Sequence, residues 1–325
     1  MAAKIKLFLW RIEYVKIKPP IQIQMKADQI SIHISGYTGF VGSNLKTYLS
    51  QERFHPIPMH LRHTNTILFP PTKAVIHLAG KAHDLQKVNC PEEYYQVNTE
   101  LTKKIFDAFL LSDAEVFITL SSVKAVADAV KDILTEDVIP NPQTHYGKSK
   151  LLAEEYILSK FLPKEKRVYI LRPCMIHGMG NKGNLNLLYD VISKRIPWPL
   201  AAFNNQRSFL SIDNLCFVIH ELIKRQDIPS GIYQIADDEP LSTNQLIELI
   251  SKALNFKPKL WRVPQSIVTG ISKIGDILKL PLNTERLQKL TENYIVGPQK
   301  VFKCHIINNL YLTMCIKFCK NSILF

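Results

Sequence analysis

Six cysteines in 325 residues form no even framework of spacings, which excludes the disulfide-stapled class of small secreted folds. Cys90, Cys174 and Cys216 are scattered, while Cys304, Cys315 and Cys319 crowd the end. Scattered cysteines read as reduced, packed thiols of a cytoplasmic protein. Cys315 and Cys319 lack the second pair a zinc site needs, so no metal is expected. Long apolar runs are missing as well: Leu7 to Trp10 is broken by Arg11, and the apolar tail by Lys317 and Lys320. Neither stretch suffices for a signal-peptide core or a bilayer span, and no membrane partner is expected. No internal repeat or low-complexity linker divides the chain.

Acidic residues are short in number, 28 against 41 Lys and Arg, for a formal charge of +13. Residues 1–24 and 297–325 each carry +4, which leaves +5 for the body. No run of arginines interleaves with aromatics, so nucleic acid is not an expected partner. The apolar share of 46% and charged share of 21% exclude disorder, and the length suits one large α/β unit with a smaller lobe.

From Ile30 the pattern becomes regular. ISIHIS is a short run rich in β-branched residues, three glycines follow, and NLKTYLSQE reads as a helix. Further apolar runs at Ala74–Leu78, Val116–Leu120 and Val168–Leu171 alternate with helical stretches at Pro91–Leu111 and His145–Phe161. Such alternation predicts a doubly wound parallel sheet. Past Pro173 it loosens, and GIYQIADDEPLSTNQLIELISKAL predicts a strand, a turn and a helix capped by Ser242 or Thr243.

Gly36, Gly39 and Gly42 lie between the first strand and its helix. Their missing side chains allow a tight turn, close approach to a pyrophosphate at the helix start, and helix–sheet packing. Thr38, Phe40 and Val41 complete this loop. The next strand, His55–His60, ends in Leu61-Arg62-His63 without the acid that accepts ribose hydroxyls. Arg62 could stack on adenine, pair with a 2′-phosphate or simply face solvent, so both NAD and NADP stay open.

Ser121-Ser122 follow the VFITL strand, and Tyr146 and Lys150 share one face of a helix entered after Pro140 and Pro142. A phenol near pKa 10 needs help to act at neutral pH, and an adjacent ammonium favours its phenolate. The same spacing recurs at Tyr14/Lys18 and Tyr156/Lys160. Only Tyr146 lies at a loop-to-helix entry downstream of a serine-bearing strand.

In this order the motifs resemble the extended short-chain dehydrogenase/reductase family, also called the NAD-dependent epimerase/dehydratase family, over roughly Ile30 to Lys303. HLAGKAHD, SSVKAVAD and IHGMGNKGNLNLL are most similar to bacterial UDP-glucose or UDP-N-acetylglucosamine 4-epimerase-like members. The resemblance implies an NAD(P)-binding Rossmann fold with a smaller C-terminal substrate lobe, and a cytoplasmic homodimer. It implies catalysis by Ser122, Tyr146 and Lys150. Cofactor contacts would come from the glycine loop, Arg62, Leu78, Ala79, Gly80, Asn98, Ser121, Tyr146, Lys150 and Pro173. A UDP-sugar would meet Lys81, Ser122, Asn184, Leu185, Leu200 and Arg207. Dehydratases of the family carry Thr-Asp-Glu where this chain has Ser122-Val123-Lys124, so water loss is disfavoured. C4 epimerisation through a 4-keto sugar is expected, with NADPH-dependent reduction of a 4-keto-6-deoxy amino sugar or non-catalytic cofactor sensing as alternatives.

The expected organisation is an extension over 1–24 and a dinucleotide-binding domain over 25–175 with a return segment near 211–238. A mainly substrate-binding lobe follows over 176–303, then an atypical tail over 304–325. His177, where the family often has tyrosine, is expected to pack in the second lobe.

Overall fold

Every run of β-branched residues noted above becomes a strand buried on both faces. The computed structural model describes residues 29–61, 67–81, 90–181, 184–278 and 283–306. Six strands, β1 (Ile30–Ser35), β2 (Phe54–Pro58), β3 (Ala74–His77), β4 (Val116–Leu120), β6 (Arg167–Pro173) and β9 (Gly231–Ile235), form one sheet. Its order is β2-β1-β3-β4-β6-β9, and all of its pairs are parallel. Parallel strands need crossovers on the sheet faces, which accounts for their near-continuous apolar sequences.

The crossovers are α1 (Phe40–Gln51), α2 (92–110), α3 (His145–Ser159) and α5 (Ile212–Lys224). Within α2 the backbone passes through a π segment, Tyr95–Glu100, before the α-helix Leu101–Leu110. One sheet face packs Ile32, Ile34, Ile76 and Ile118 on α1 and α5, and the other packs Val75, Phe117 and Ile170 on Phe106 and Phe109 of α2. Strand order reverses between β1 and β3. In open α/β sheets the crevice at that reversal, beyond the carboxyl ends of the strands, receives the ligand.

A separate hydrophobic cluster gathers Leu185, Ile192, Trp198, Leu200, Ile247 and Val268. It is built from α4 (Asn184–Ser193), α6 (Thr243–Ala253), α7 (Gln265–Leu278) and α8 (Thr284–Thr291). Ser242 is the N-cap of α6 and forms a full capping box with Gln245, so of the two caps the sequence offered, Ser242 is used. The short pairs β5 (Ile133–Leu134) with β10 (Ile295–Val296), and β7 (Met175–His177) with β8 (Phe209–Ser211), tie this part to the sheet. The final helix is α9 (Gln299–Lys303).

The tail is described only to Ile306. Arg62, residues 1–24 and the Tyr14/Lys18 pair lie outside the described residues. Among the described cysteines, Cys174 and Cys216 are buried as expected, but Cys90 is exposed and donates to Glu92 at 3.3 Å. It precedes α2 at a loop edge, where it faces solvent.

Candidate active site

The carboxyl ends of β1, β3, β4 and β6 bring four stretches together. After β1, Gly36 takes φ of +68°, and an added Cβ would lie 2.7 Å from the Ala79 nitrogen. At Gly42 a Cβ would stand 2.2 Å from the Gly36 carbonyl oxygen, so the protein itself forbids side chains at both. Gly39 differs: its Cβ would meet only that oxygen, at 3.2 Å, and it heads α1 with no side-chain cap and no acid in the first turn. The first amides of α1, at Phe40 and Val41, thus start beside an exposed Thr38 on an uncapped positive helix end. This bare cradle fits the diphosphate of a dinucleotide.

The turn after β3 is held from beneath. Ser35 Oγ accepts from the amides of Leu78 and Ala79, both at 3.1 Å, so its hydroxyl donates to His77 Nδ1 at 2.6 Å. His77 Nε2 then donates to Thr102 at 2.9 Å. Burial, with the nearby Lys150 charge, pushes the His77 pKa down to about 3, which keeps the ring a neutral scaffold. Asn98, fully buried in the π segment, accepts from the Lys81 amide at 2.8 Å and donates to Lys81 O and Ser149 Oγ, both at 3.1 Å. Its amide holds Lys81 to α3, beside the place where a cofactor contact was expected from sequence.

The catalytic candidates converge. Ser122 accepts from the Lys124 amide at 3.2 Å and its hydroxyl hydrogen-bonds Tyr146. Burial raises the Tyr146 phenol above its ordinary value, the Ser122 bond lowers it, and Tyr94 raises it again. Lys150, the ammonium expected from sequence to lower this phenol, donates one of its three protons to the Leu120 carbonyl at 2.9 Å. Burial pushes its own pKa down to about 8, against the raising influence of Glu154. Gly80 faces this group: a Cβ there would stand 3.1 Å from both Lys150 Nζ and Asn98 Oδ1. The Tyr94 ring lies edge-on to Tyr146 at 6.1 Å, and Lys81 pairs with Glu93 over the Tyr94 ring at 5.8 Å. Pro173 ends β6 beside them, buried.

Sequence reasoning missed a network below. Ser121 donates to Glu154, and Arg172 grips the same carboxylate with Nε at 3.0 and 3.1 Å and Nη2 at 2.5 Å. Glu154 is 2% exposed and Arg172 3%. The four-residue step Tyr146, Lys150, Glu154 was the available signal. The rival pair is settled by place: Tyr156 donates to Asp107 at 2.7 Å and Lys160 lies over its ring, outside the crevice. His177 is buried as expected and lies 3.6 Å from Asp237, an acid that also accepts from the Ser211 amide and Asn214.

Toward the second cluster the picture is mixed. Leu185 and Leu200 are 9% and 5% exposed and belong to that cluster, so their side chains serve packing. Asn184 begins α4. Arg207 donates to the Lys289 carbonyl at 2.8 Å and reaches Glu292 at 3.4 Å. Lys124 donates to the Asp128 carbonyl at 2.6 Å and lies 4.2 Å over the Tyr294 ring. Burial lowers its pKa.

Residues 32–236 match the NAD dependent epimerase/dehydratase family. The chain belongs to this family. It is an NAD(P)-dependent enzyme. The UDP-glucose 4-epimerase of Vibrio cholerae is 29% identical over 262 residues, 73% of this chain and 79% of that protein. The N-acetyl-alpha-D-glucosaminyl-diphospho-ditrans,octacis-undecaprenol 4-epimerase of Escherichia coli O157:H7 is 30% identical over 193 residues, 58% of this chain and 57% of that protein. The crystal structure of UDP-N-acetylglucosamine 4-epimerase from Bacillus cereus superposes with a TM-score of 0.70 at 19% identity, over 91% of this chain and 100% of the other. That likeness shows the fold. Among the described residues no helix is long and apolar enough to cross a membrane.

Proposed function

We propose that the enzyme interconverts the C4 epimers of a UDP-sugar, a UDP-N-acetylhexosamine or UDP-glucose, through a 4-keto intermediate. The observation that carries this reading is the Ser122–Tyr146 hydrogen bond with Lys150 one helical turn away, and an ammonium, Lys124, where water loss would call for a carboxylate. When bound, the nicotinamide dinucleotide supplies the hydride acceptor and donor, for which the protein has no substitute. Gly39, at the bare start of α1, leaves room for its diphosphate, with Ser121 and Pro173 at its edge.

Tyr146 takes the proton of the C4 hydroxyl and returns it after the keto sugar has turned over. Ser122, already hydrogen-bonded to Tyr146, holds the sugar oxygen in line. Lys150, charged below a pKa of about 8, supplies the positive field that burial otherwise denies a phenolate. Arg207, with its forked donors, suits the diphosphate once its reach to Glu292 is exchanged. A homodimer is part of this proposal and is checked by sedimentation velocity.

The test is turnover by purified full-length protein. UDP-N-acetylglucosamine is expected to give its C4 epimer without added cofactor, because hydride returns to the sugar. Turnover only of a 4-keto sugar, with stoichiometric NADPH, would replace this reading with the reductase. A second reading puts a polyprenyl chain in place of the nucleoside, as in the substrate named for the E. coli relative. The exposed isoleucines of α7, with Ile271 48% and Ile274 53% exposed, favour it. Competition between the two diphospho-sugars separates the readings.

A further inference from the structure

Helix α7 is built inside out. Its buried residues are Val268, Ser272 and Gly275, two of them among the smallest side chains available. Its large apolar residues face solvent instead: Ile267 is 52% exposed, Ile271 48%, Ile274 53% and Leu278 63%. At 100° per residue these four fall within an arc of about 60°, so they form one stripe. Among the described residues nothing covers that stripe.

The approach to the helix is basic. Lys257, Lys259, Arg262 and Lys273 are all exposed, and none takes part in an ion pair among the described residues. The one acid between 257 and 278, Asp276, is engaged by Thr284 of α8. Trp261, in the middle of the basic stretch, is 57% exposed. An apolar stripe, cations in the segment that leads into it and an exposed tryptophan are what a protein surface needs to seat at the headgroup level of an anionic bilayer. The 14 residues of α7 span about 21 Å as a helix, too short to cross hydrocarbon but enough to lie along its surface.

Charge selects among the occupants. A second copy of the segment Lys257–Leu278, with Lys257, Lys259, Arg262 and Lys273 against Asp276, would set a net +3 against +3. Residues 307–325 carry Lys317 and Lys320 and no acidic side chain, so the tail is no better matched. We infer that the segment Lys257–Leu278 is a docking surface for a membrane rich in anionic lipid, which holds the enzyme at the bilayer without any spanning helix. This goes beyond the catalytic reading and does not depend on which sugar is the substrate.

The test uses full-length protein and phosphatidylcholine vesicles with or without about 30% phosphatidylglycerol, in the absence of any sugar. The protein is expected to co-sediment with the anionic vesicles, and raised salt to weaken the association. Ile271→Ser/Ile274→Ser should cut partitioning by about tenfold or more, and Lys257→Glu/Lys259→Glu should remove the preference for anionic lipid. Both pairs lie on the surface, and unchanged NAD binding and melting temperature confirm that the variants are folded. Failure of the wild type to co-sediment overturns the inference, as does full binding by the isoleucine variant. So does a wild-type dimer, seen without vesicles, that the isoleucine variant turns into monomer. An Ile271→Cys variant that forms a disulfide with Cys315 or Cys319 of its own tail would place the tail on this face, and that too overturns it.

Discussion

Replacing Glu154 by Gln should move the alkaline limb of activity, although Glu154 touches no substrate. Lys150 and Glu154 stand four apart on α3, about 6 Å between groups that share a helix face. At an effective dielectric near 20, opposite charges at that distance attract by about 3 kcal/mol, or about two pKa units. Arg172, which grips the same carboxylate, stays in place in this variant, so the whole of that attraction is lost and about two units are expected. Lys150 is held at about 8 and its charged form exists below that value, so activity that needs the ammonium falls as pH rises through about 8. In Glu154→Gln the fall should centre about two units lower. At pH 7.5 kcat should then drop about 20-fold, and near pH 6 about twofold. Removing one partner of a buried ion pair also costs about 3–5 kcal/mol of stability, so Glu154→Gln/Arg172→Met, which buries no lone charge, serves as the second variant. The assay is the kcat profile from about pH 5 to 9.5 on folded, NAD-loaded protein. An alkaline limb that stays at the wild-type position in both variants would refute the argument and leave Glu154 a purely structural residue.

Tyr146→Phe should lower kcat by about 10²- to 10⁴-fold while NAD still binds, as read by fluorescence titration and product analysis. For Gly80→Ala, the new Cβ 3.1 Å from Lys150 Nζ should displace the ammonium and cost about tenfold or more in kcat, with little change in melting temperature because Gly80 is exposed. Gly42→Ala should behave oppositely: a Cβ 2.2 Å from the Gly36 carbonyl forces α1 off the sheet, and denaturant unfolding should show a loss of about 1–3 kcal/mol. Replacing Asn98 by Leu strands the Lys81 amide and should cost about 1–3 kcal/mol, with kcat lowered through the shifted turn.

Strands and crossover helices were legible in the sequence because a parallel sheet buries both faces of every strand, and such runs stand out as β-branched blocks. Tyr146 was separable from Tyr156 for a similar reason, since one lies at a helix entry after a serine strand and the other deep in the same helix. The second lobe was harder. Leu185 and Leu200 read as ligand contacts by resemblance, and their place in a hydrophobic cluster, like the engagement of Arg207 with the end of α8, was not legible from local sequence. These outcomes depend on which elements meet, not on local pattern.

The amino-acid order by itself determined the glycine cradle, the sheet and the serine, tyrosine and lysine, because each rests on short-range spacing along one strand, turn or helix. Only the tertiary structure decided that Lys150 faces the Leu120 carbonyl, that Glu154 and Arg172 lie buried beneath it, and that Asn98 clamps the turn after β3. Those relations join residues 17 to 51 positions apart. Burial and distance, not sequence spacing, set the energies of such contacts. The outward stripe of α7 follows the same rule: its period was in the sequence, but the side it faces was decided by the fold.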